Sequence, residues 1–206
     1  MAEEVAPAIH ISDAAFEYLM IQRGRIANLS SDRARWTPAY IDTLVADFDA
    51  LQPFLPASAD RILDVGSGLG GIDILLARHL HNPEVWLLDG DDDSPVMVKH
   101  AQTFNCMRTA RRFLEQNGVS DVVTISPALE QQPAPCDLIV SLQSWCFHYA
   151  PAVYLDFVRS CCRPGTVLAI DVRRDKPMWQ NQLDQVFTAQ GVAMQGDKYD
   201  RRIYKA

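Results

Sequence analysis

The stretch Ile62-Leu63-Asp64-Val65-Gly66-Ser67-Gly68-Leu69-Gly70-Gly71 decides how this chain is read. Its first four residues are apolar and β-prone around one carboxylate, which predicts a buried strand. The glycines that follow permit positive φ and a close backbone approach to a ligand. A helix over Ile72 to His81 comes next, and its first N–H groups would point at whatever fills the turn. Downstream, Val85-Trp86-Leu87-Leu88 predicts a second strand that ends in Asp89. A carboxylate there can accept hydrogen bonds from both ribose hydroxyls of an adenosine. Strand, glycine turn, helix and a strand-end acid together predict a nucleoside-cofactor site.

Gly66, Gly68 and Gly71 satisfy the dinucleotide pattern G-x-G-x-x-G, which alone is weak. Asp64 argues against a pyrophosphate, because two anions would share a small desolvated turn. It suits a cationic ligand such as the ammonium and sulfonium of S-adenosylmethionine. The D-x-G-x-G pattern after an apolar strand, with Asp89 beyond it, resembles the first two motifs of the class I S-adenosylmethionine-dependent methyltransferases. A nicotinamide enzyme and a glycine turn without ligand are the rival readings. The second of these leaves Asp64 and Asp89 unexplained.

Bulk properties narrow the classes further. A chain of 206 residues is most simply one domain with a substantial core. The net charge of −7 speaks against nucleic acid as the main partner, since phosphate binding wants a basic face. Five cysteines without ligand-like spacing predict free, buried thiols rather than a disulfide framework or a zinc site. The acidic start fits no signal peptide, and no apolar run approaches membrane-spanning length, so the expectation is a cytoplasmic protein without a membrane partner.

Residues 1–60 read as an N-terminal helical cap on the core formed by residues 61–206. Ser12 or Asp13 caps a first helix carrying Phe16, Leu19, Met20 and Ile26. Thr37-Pro38 predicts the start of a second, with Ile41, Leu44, Val45 and Phe48 on one face. After the first two strands, Ser94-Pro95 predicts a short helix, and a longer one runs to about Asn117. Val122 to Ile125, Asp137 to Val140 and Val167 to Ile170 are the next strands. A helix through Val153, Tyr154, Phe157, Val158 and Cys161 separates the last two, and another spans Trp179 to Gln190. Val192 to Met194 and Arg202 to Tyr204 flank Gly196-Asp197-Lys198 as a closing hairpin. This alternation predicts a doubly wound, Rossmann-like α/β fold: a mostly parallel seven-stranded sheet with a C-terminal antiparallel hairpin. The terminal hairpin matches the methyltransferase fold, and an ordinary dinucleotide fold has no need of it.

Ligands of such sheets bind at the carboxyl ends of the strands. The resemblance implies that Asp64 meets the methionine ammonium through water, with Gly66, Ser67 and Gly68 under the cofactor. Asp89 and Gly90 would take the ribose, with Asp91 as a rival and Asp92 and Asp93 solvated. The family's polar residue after the third strand is missing here; Ser126-Pro127-Ala128 leaves backbone groups near Ala128 to hold adenine. After the fourth strand, Ser141-Leu142-Gln143-Ser144-Trp145-Cys146-Phe147-His148-Tyr149 occupies the family's catalytic loop. It lacks the Asn/Asp-Pro-Pro-aromatic signature of amino-methylating nucleic-acid enzymes. Ser141 stands where catechol-type enzymes carry a metal-binding aspartate, so it is assigned to the cofactor site and no metal is expected.

His148 is the candidate general base for an alcohol acceptor, since a neutral imidazole titrates near physiological pH. Trp145 and Tyr149 flank it as candidate substrate-binding aromatics. Asp171, at the end of the fifth strand, could orient His148, bind substrate or pair with Arg173 or Arg174. The segment Ser144 to Tyr149, with Phe104-Asn105 and Phe113 to Gly118 before it, resembles bacterial sugar and small-molecule O-methyltransferases. The expected activity is therefore metal-independent O-methylation of a small molecule by S-adenosylmethionine. Small-molecule N-methylation, a non-catalytic cofactor-binding subunit and an NAD-dependent oxidoreductase are the alternatives.

Overall fold

The computed structural model describes residues 8–23, 32–92, 97–99 and 102–206. Its strands are β1 (Arg61–Val65), β2 (Glu84–Leu88), β3 (Met97–Lys99), β4 (Gln102–Phe104), β5 (Val122–Ile125), β6 (Cys136–Ser141), β7 (Ser144–Tyr149), β8 (Cys162–Arg173), β9 (Thr188–Gln195) and β10 (Tyr199–Lys205). The helices are α1 (Asp13–Arg23), α2 (Arg33–Leu51), α3 (Gly71–His79), α4 (Met107–Glu115), α5 (Leu155–Ser160) and α6 (Pro177–Asp184). Seven strands form one sheet in the order β5-β2-β1-β6-β8-β10-β9. The first five run parallel, and β10 is antiparallel to both of its neighbours. The expected fold and its closing hairpin are therefore present.

Alternation along the strands builds a core on each face. Val85 and Leu87 of β2 turn toward α1, α2, α3 and α4, where Leu19, Trp36, Leu75 and Phe113 are buried. Leu63, Val65, Trp86 and Leu88 turn the other way, onto Phe157, Val158 and Leu183 beneath α5 and α6. Ile62 joins Leu51, Ile72 and Leu76 in a third cluster under α2 and α3. Among the described residues, no helix is long and apolar enough to cross a membrane. The five cysteines form no disulfide, and Cys136, Cys146 and Cys161 are buried.

Several elements depart from expectation. Helix α2 begins at Arg33, before Thr37-Pro38, because the Asp32 side chain caps the Ala34 N–H at 3.1 Å. Pro38 lies inside the helix, in the turn between Trp36 and Tyr40, whose buried rings stack on each other at 5.0 Å. Ile26 and the helix start at Ser94-Pro95 lie outside the described residues. The long helix expected before Asn117 is described only from Met107. Ahead of it, Met97 to Lys99 pairs antiparallel with Gln102 to Phe104, where Val98, Thr103 and Phe104 are strand formers. Helix α6 stops at Asp184 rather than Gln190, since residues 188–195 are drawn into the sheet against β10. The catalytic-loop segment from Ser144 onward is extended as β7.

The N-terminal helices are bolted to the sheet by one buried cation. Arg201 of β10 is fully buried; its Nε and Nη2 donate to the Asp171 carboxylate of β8 at 2.8 and 3.1 Å. Its Nη1 donates to Asp47 Oδ1 of α2 at 2.8 Å. Removing the cation strands two buried carboxylates. Arg201→Met is expected to lower the unfolding free energy by about 3–5 kcal/mol in urea titration. Converting Asp47 and Asp171 to leucine in the same chain should restore much of that loss. A single variant as stable as the parent would show that the triad does not hold α2.

Candidate functional site

The strand order reverses between β1 and β6, so the crevice of this fold opens over the carboxyl ends of β1, β2 and β6. Gly66, Gly68 and Gly70 all take positive φ in the turn after β1. Gly66 donates its N–H to the Leu88 carbonyl at 2.6 Å, tying that turn to the end of β2. Its missing side chain has a second use. A Cβ on Gly66 would overlap Ser144 Oγ, so the turn and the start of β7 touch directly.

Asp89 sits half-buried where β2 ends, as expected. Its Oδ2 accepts the Gly68 N–H and the Asn105 side-chain N–H, each at 2.8 Å. Burial pushes this carboxyl from its ordinary 3.8 up to about 6, and those N–H groups pull the other way. Gly90 is buried against residue 105: a side chain at Gly90 would overlap the Asn105 carbonyl. Ser67 is half-buried at the turn, and its Oγ donates to the Gly68 carbonyl at 3.4 Å.

Asp64 lies deeper than expected for a group that meets a ligand at the turn. It is 3% exposed, and its carboxyl interacts with that of Asp73 on α3. Asp73 is fully buried, and its hydrogen-bonding partner is the Asp64 carboxyl. Burial raises the Asp73 carboxyl to about 6, opposed by its interaction with Asp64. Two buried carboxyls in contact share protons as a pair. An acid inside the apolar run Ile72-Asp73-Ile74-Leu75 was a visible signal that sequence reasoning passed over.

The segment after β6 separates into residues that build the crevice wall and residues that face outward. Ser141 is fully buried; its Oγ donates to the Val65 carbonyl at 2.7 Å and accepts the Trp145 N–H at 2.9 Å. It joins the ends of β1 and β6. Trp145 is likewise fully buried, with its indole N–H on the Pro151 carbonyl at 3.0 Å, so it supports the segment from beneath and not as an exposed flank of His148. Asp171 meets neither His148 nor Arg173 nor Arg174. It is spent on Arg201 and on the Gln143 N–H at 3.1 Å. Arg173 pairs with Asp175, and Arg174 with Asp200.

His148 is exposed, with its ring edge-on to Phe147 at 4.8 Å and to Tyr149 at 6.3 Å. Tyr149 is half-buried and meets Tyr154 edge-on at 6.5 Å. Burial raises both phenols, and the charge of Asp89 adds to the rise in each. Tyr149 and Tyr154 therefore lie within electrostatic reach of Asp89, on the crevice. The sequence places Tyr154 only in the helix that leads to Cys161. Ala128 is exposed beyond β5, its N–H held by Ser126 Oγ at 3.3 Å.

No protein-family model matches the sequence, and no curated protein matches it. Solved structures do. A methyltransferase from Pyrococcus furiosus is 17% identical, with a TM-score of 0.56 over 80% of this chain and 83% of its own. The N,N-8-amino-8-demethyl-D-riboflavin dimethyltransferase of Streptomyces davawensis is 16% identical, with a TM-score of 0.59 over 84% of this chain and 58% of its own. The carbon methyltransferase CurJ is 14% identical, with a TM-score of 0.53 over 82% of this chain and 55% of its own. The chain thus spans less than two thirds of the latter two. At these identities the likeness is one of fold: the chain has the class I methyltransferase fold.

Asp73 and Asp89, both raised from 3.8 to about 6, make the free protein's stability depend on pH. A carboxyl whose folded pKa exceeds its unfolded value contributes stability present below the unfolded value and lost as pH rises through the folded one. The urea midpoint is expected to be higher at pH 5 than at pH 7.5, and Asp73→Asn should flatten the difference. An unchanged slope in that variant would contradict the assignment to Asp73.

Proposed function

We propose that this protein transfers a methyl group from S-adenosylmethionine to a hydroxyl of a small molecule. The observation that carries the reading is Asp89, a strand-end carboxylate fixed beneath the Gly68 N–H at the mouth of the crevice. The residues present fit an adenosyl group. Asp89 offers an acceptor for ribose, the glycine turn allows close backbone approach, and Ser126 to Ala128 offers backbone groups toward adenine. Bound there, the sulfonium would supply an already activated methyl group.

What remains for the protein is positioning and proton removal. His148 takes the proton of the acceptor hydroxyl, its exposed imidazole edge-on to Phe147 and Tyr149. Tyr149 and Tyr154 narrow the crevice and exclude water, and they stay protonated through the working range because burial and Asp89 raise them. The acidic surface argues for a small neutral or cationic acceptor rather than a nucleic acid, and no step calls for a metal ion. The fold alone does not choose the atom, since similar structures include a carbon methyltransferase. Transfer to nitrogen is the second reading, and it needs no base at His148.

Calorimetry of the isolated chain tests the site. S-adenosylhomocysteine should bind in the micromolar range, NAD(H) should not, and Asp89→Ala should abolish the binding. Binding of NAD(H) in its place would return the glycine turn to the dinucleotide reading. Once an acceptor is found, His148→Ala should lower kcat on the order of a hundredfold and leave cofactor affinity intact. Unchanged turnover would remove His148 from the mechanism and favour nitrogen.

A further inference from the structure

Asp89 has less capacity for a ribose than its position suggests. A carboxylate that takes both hydroxyls of a vicinal diol uses an oxygen for each. Here Oδ2 already accepts two N–H donors at 2.8 Å, from Gly68 and from Asn105. With two acceptor sites per oxygen, that oxygen is filled. One oxygen of Asp89 is left for the diol, and a second acceptor beside it would give each hydroxyl its own.

Asn105 supplies one. It is 2% exposed, and its Nδ2 donates to Asp89, which fixes the amide orientation: a flipped amide would set Oδ1 against the carboxylate. Its Oδ1 is buried and has no donor in the free protein. As part of the same planar amide, that oxygen lies next to the Asp89 carboxylate. A buried carbonyl oxygen left without a donor is costly, and such atoms in folded proteins ask for an explanation. The backbone is locked as well. Residue 105 packs on Gly90 so closely that no side chain fits between them, and the Met107 N–H bonds the Asp91 carbonyl at 3.1 Å. The chain leaves β2 after Asp89, makes the β3–β4 hairpin and returns to the carboxylate it left.

We infer that Asn105 is a second ribose-reading residue, its Oδ1 accepting one hydroxyl of the diol while Asp89 accepts the other. The inference rests on the adenosyl reading of the crevice. It assigns the β3–β4 pair a purpose, which is to deliver one amide to the ribose. The other titratable groups that bear on Asp89 are the phenols of Tyr149 and Tyr154, both neutral near pH 7. Neither alters the charge between pH 5 and 8.

The test is calorimetry with S-adenosylhomocysteine and its 2′-deoxy and 3′-deoxy analogues, on the parent protein and on Asn105→Leu. The parent should lose affinity for both analogues. Asn105→Leu should bind the intact thioether about tenfold less well, the worth of one neutral hydrogen bond. It should also bind one of the two deoxy analogues as well as the intact compound. A structural role alone would weaken all three ligands by one factor, and that result, or no change at all, would overturn the inference. Asn105→Asp gives an independent readout should the leucine variant not fold. A protonated carboxyl can donate to Asp89 as the amide does, so this variant should gain affinity relative to the parent as pH falls from 8 toward 6, the protonation of Asp89 itself near 6 being common to both. Parallel pH profiles in the two proteins would count against Asn105. Failure of the parent to bind any of the three ligands would instead sink the adenosyl reading, and this inference with it.

Discussion

The guanidinium of Arg201, buried between Asp171 and Asp47, is the interaction on which the rest of the molecule leans. It joins three elements distant in sequence: the α2 helix, the last parallel strand β8 and the antiparallel strand β10. Register makes this possible, since Arg201 lies directly opposite Asp171 in the β8–β10 pairing. A lone charge could not stay in that place, and a single carboxylate would leave the Nη1 end of the guanidinium unpaired. With Asp171 on one edge and Asp47 on the other, the fork is satisfied. The remaining capacity of Asp171 goes to the Gln143 N–H, at the head of the segment that carries His148. The closing hairpin is therefore more than a way to finish a sheet. It holds the crevice wall through one cation.

The acids at the crevice itself are treated differently. Asp47 and Asp171 share a buried cation, whereas Asp89 is held by N–H groups of Gly68 and Asn105. Asp73 meets the Asp64 carboxyl and, among the described residues, no cation. Carboxylates supported by dipoles and not by cations leave the glycine turn electronegative, and burial strengthens that field. A pyrophosphate would meet this field unfavourably and a sulfonium favourably. That distinction separates the two cofactors compatible with a G-x-G-x-x-G turn, and it comes from groups behind the turn as much as from the turn.

Local signals carried the parts of the fold that are local. The strand, glycine turn and helix around Gly66 were legible because β-propensity, positive-φ residues and apolar periodicity agree there. The closing hairpin was legible from Gly196-Asp197-Lys198 between two apolar runs. Where local cues and tertiary packing compete, the sequence misled. Pro38 marks a helix start in isolation, but the Asp32 cap and the burial of Trp36 extend the helix past it. Gln185 to Gln190 is compatible with helix, yet pairing with β10 takes the chain from residue 188. The candidate site divides the same way. Asp89 stands at a strand end, which the pattern gives directly. Trp145, Ser141 and Asp171 looked equally well placed, and nothing in the sequence said that their polar atoms were already bound. Asn105 and Tyr154 acquire meaning only once β1, β2 and β6 lie side by side, whereas Asp73 already stands out as an acid in an apolar run.

The wall formed after β6 shows how such a site is held under strain. Gln143 and Cys146 both adopt positive φ, at 54° and 64°, a conformation uncommon for residues with side chains. Such geometry persists only where the surroundings over-determine it. Four supports do so here. The Gln143 N–H is on Asp171, the Trp145 N–H is on Ser141, the Trp145 indole is on the Pro151 carbonyl, and Ser144 fills the space that Gly66 leaves open. Two left-handed residues so close together turn the chain sharply, burying Trp145 and Cys146, leaving His148 exposed and bringing Tyr149 within reach of Asp89. The strain and the exposure of His148 are thus one feature. The buried triad anchors one end of the segment and the glycine turn receives its first side chain, so the same contacts that fix the fold also set where a base can stand.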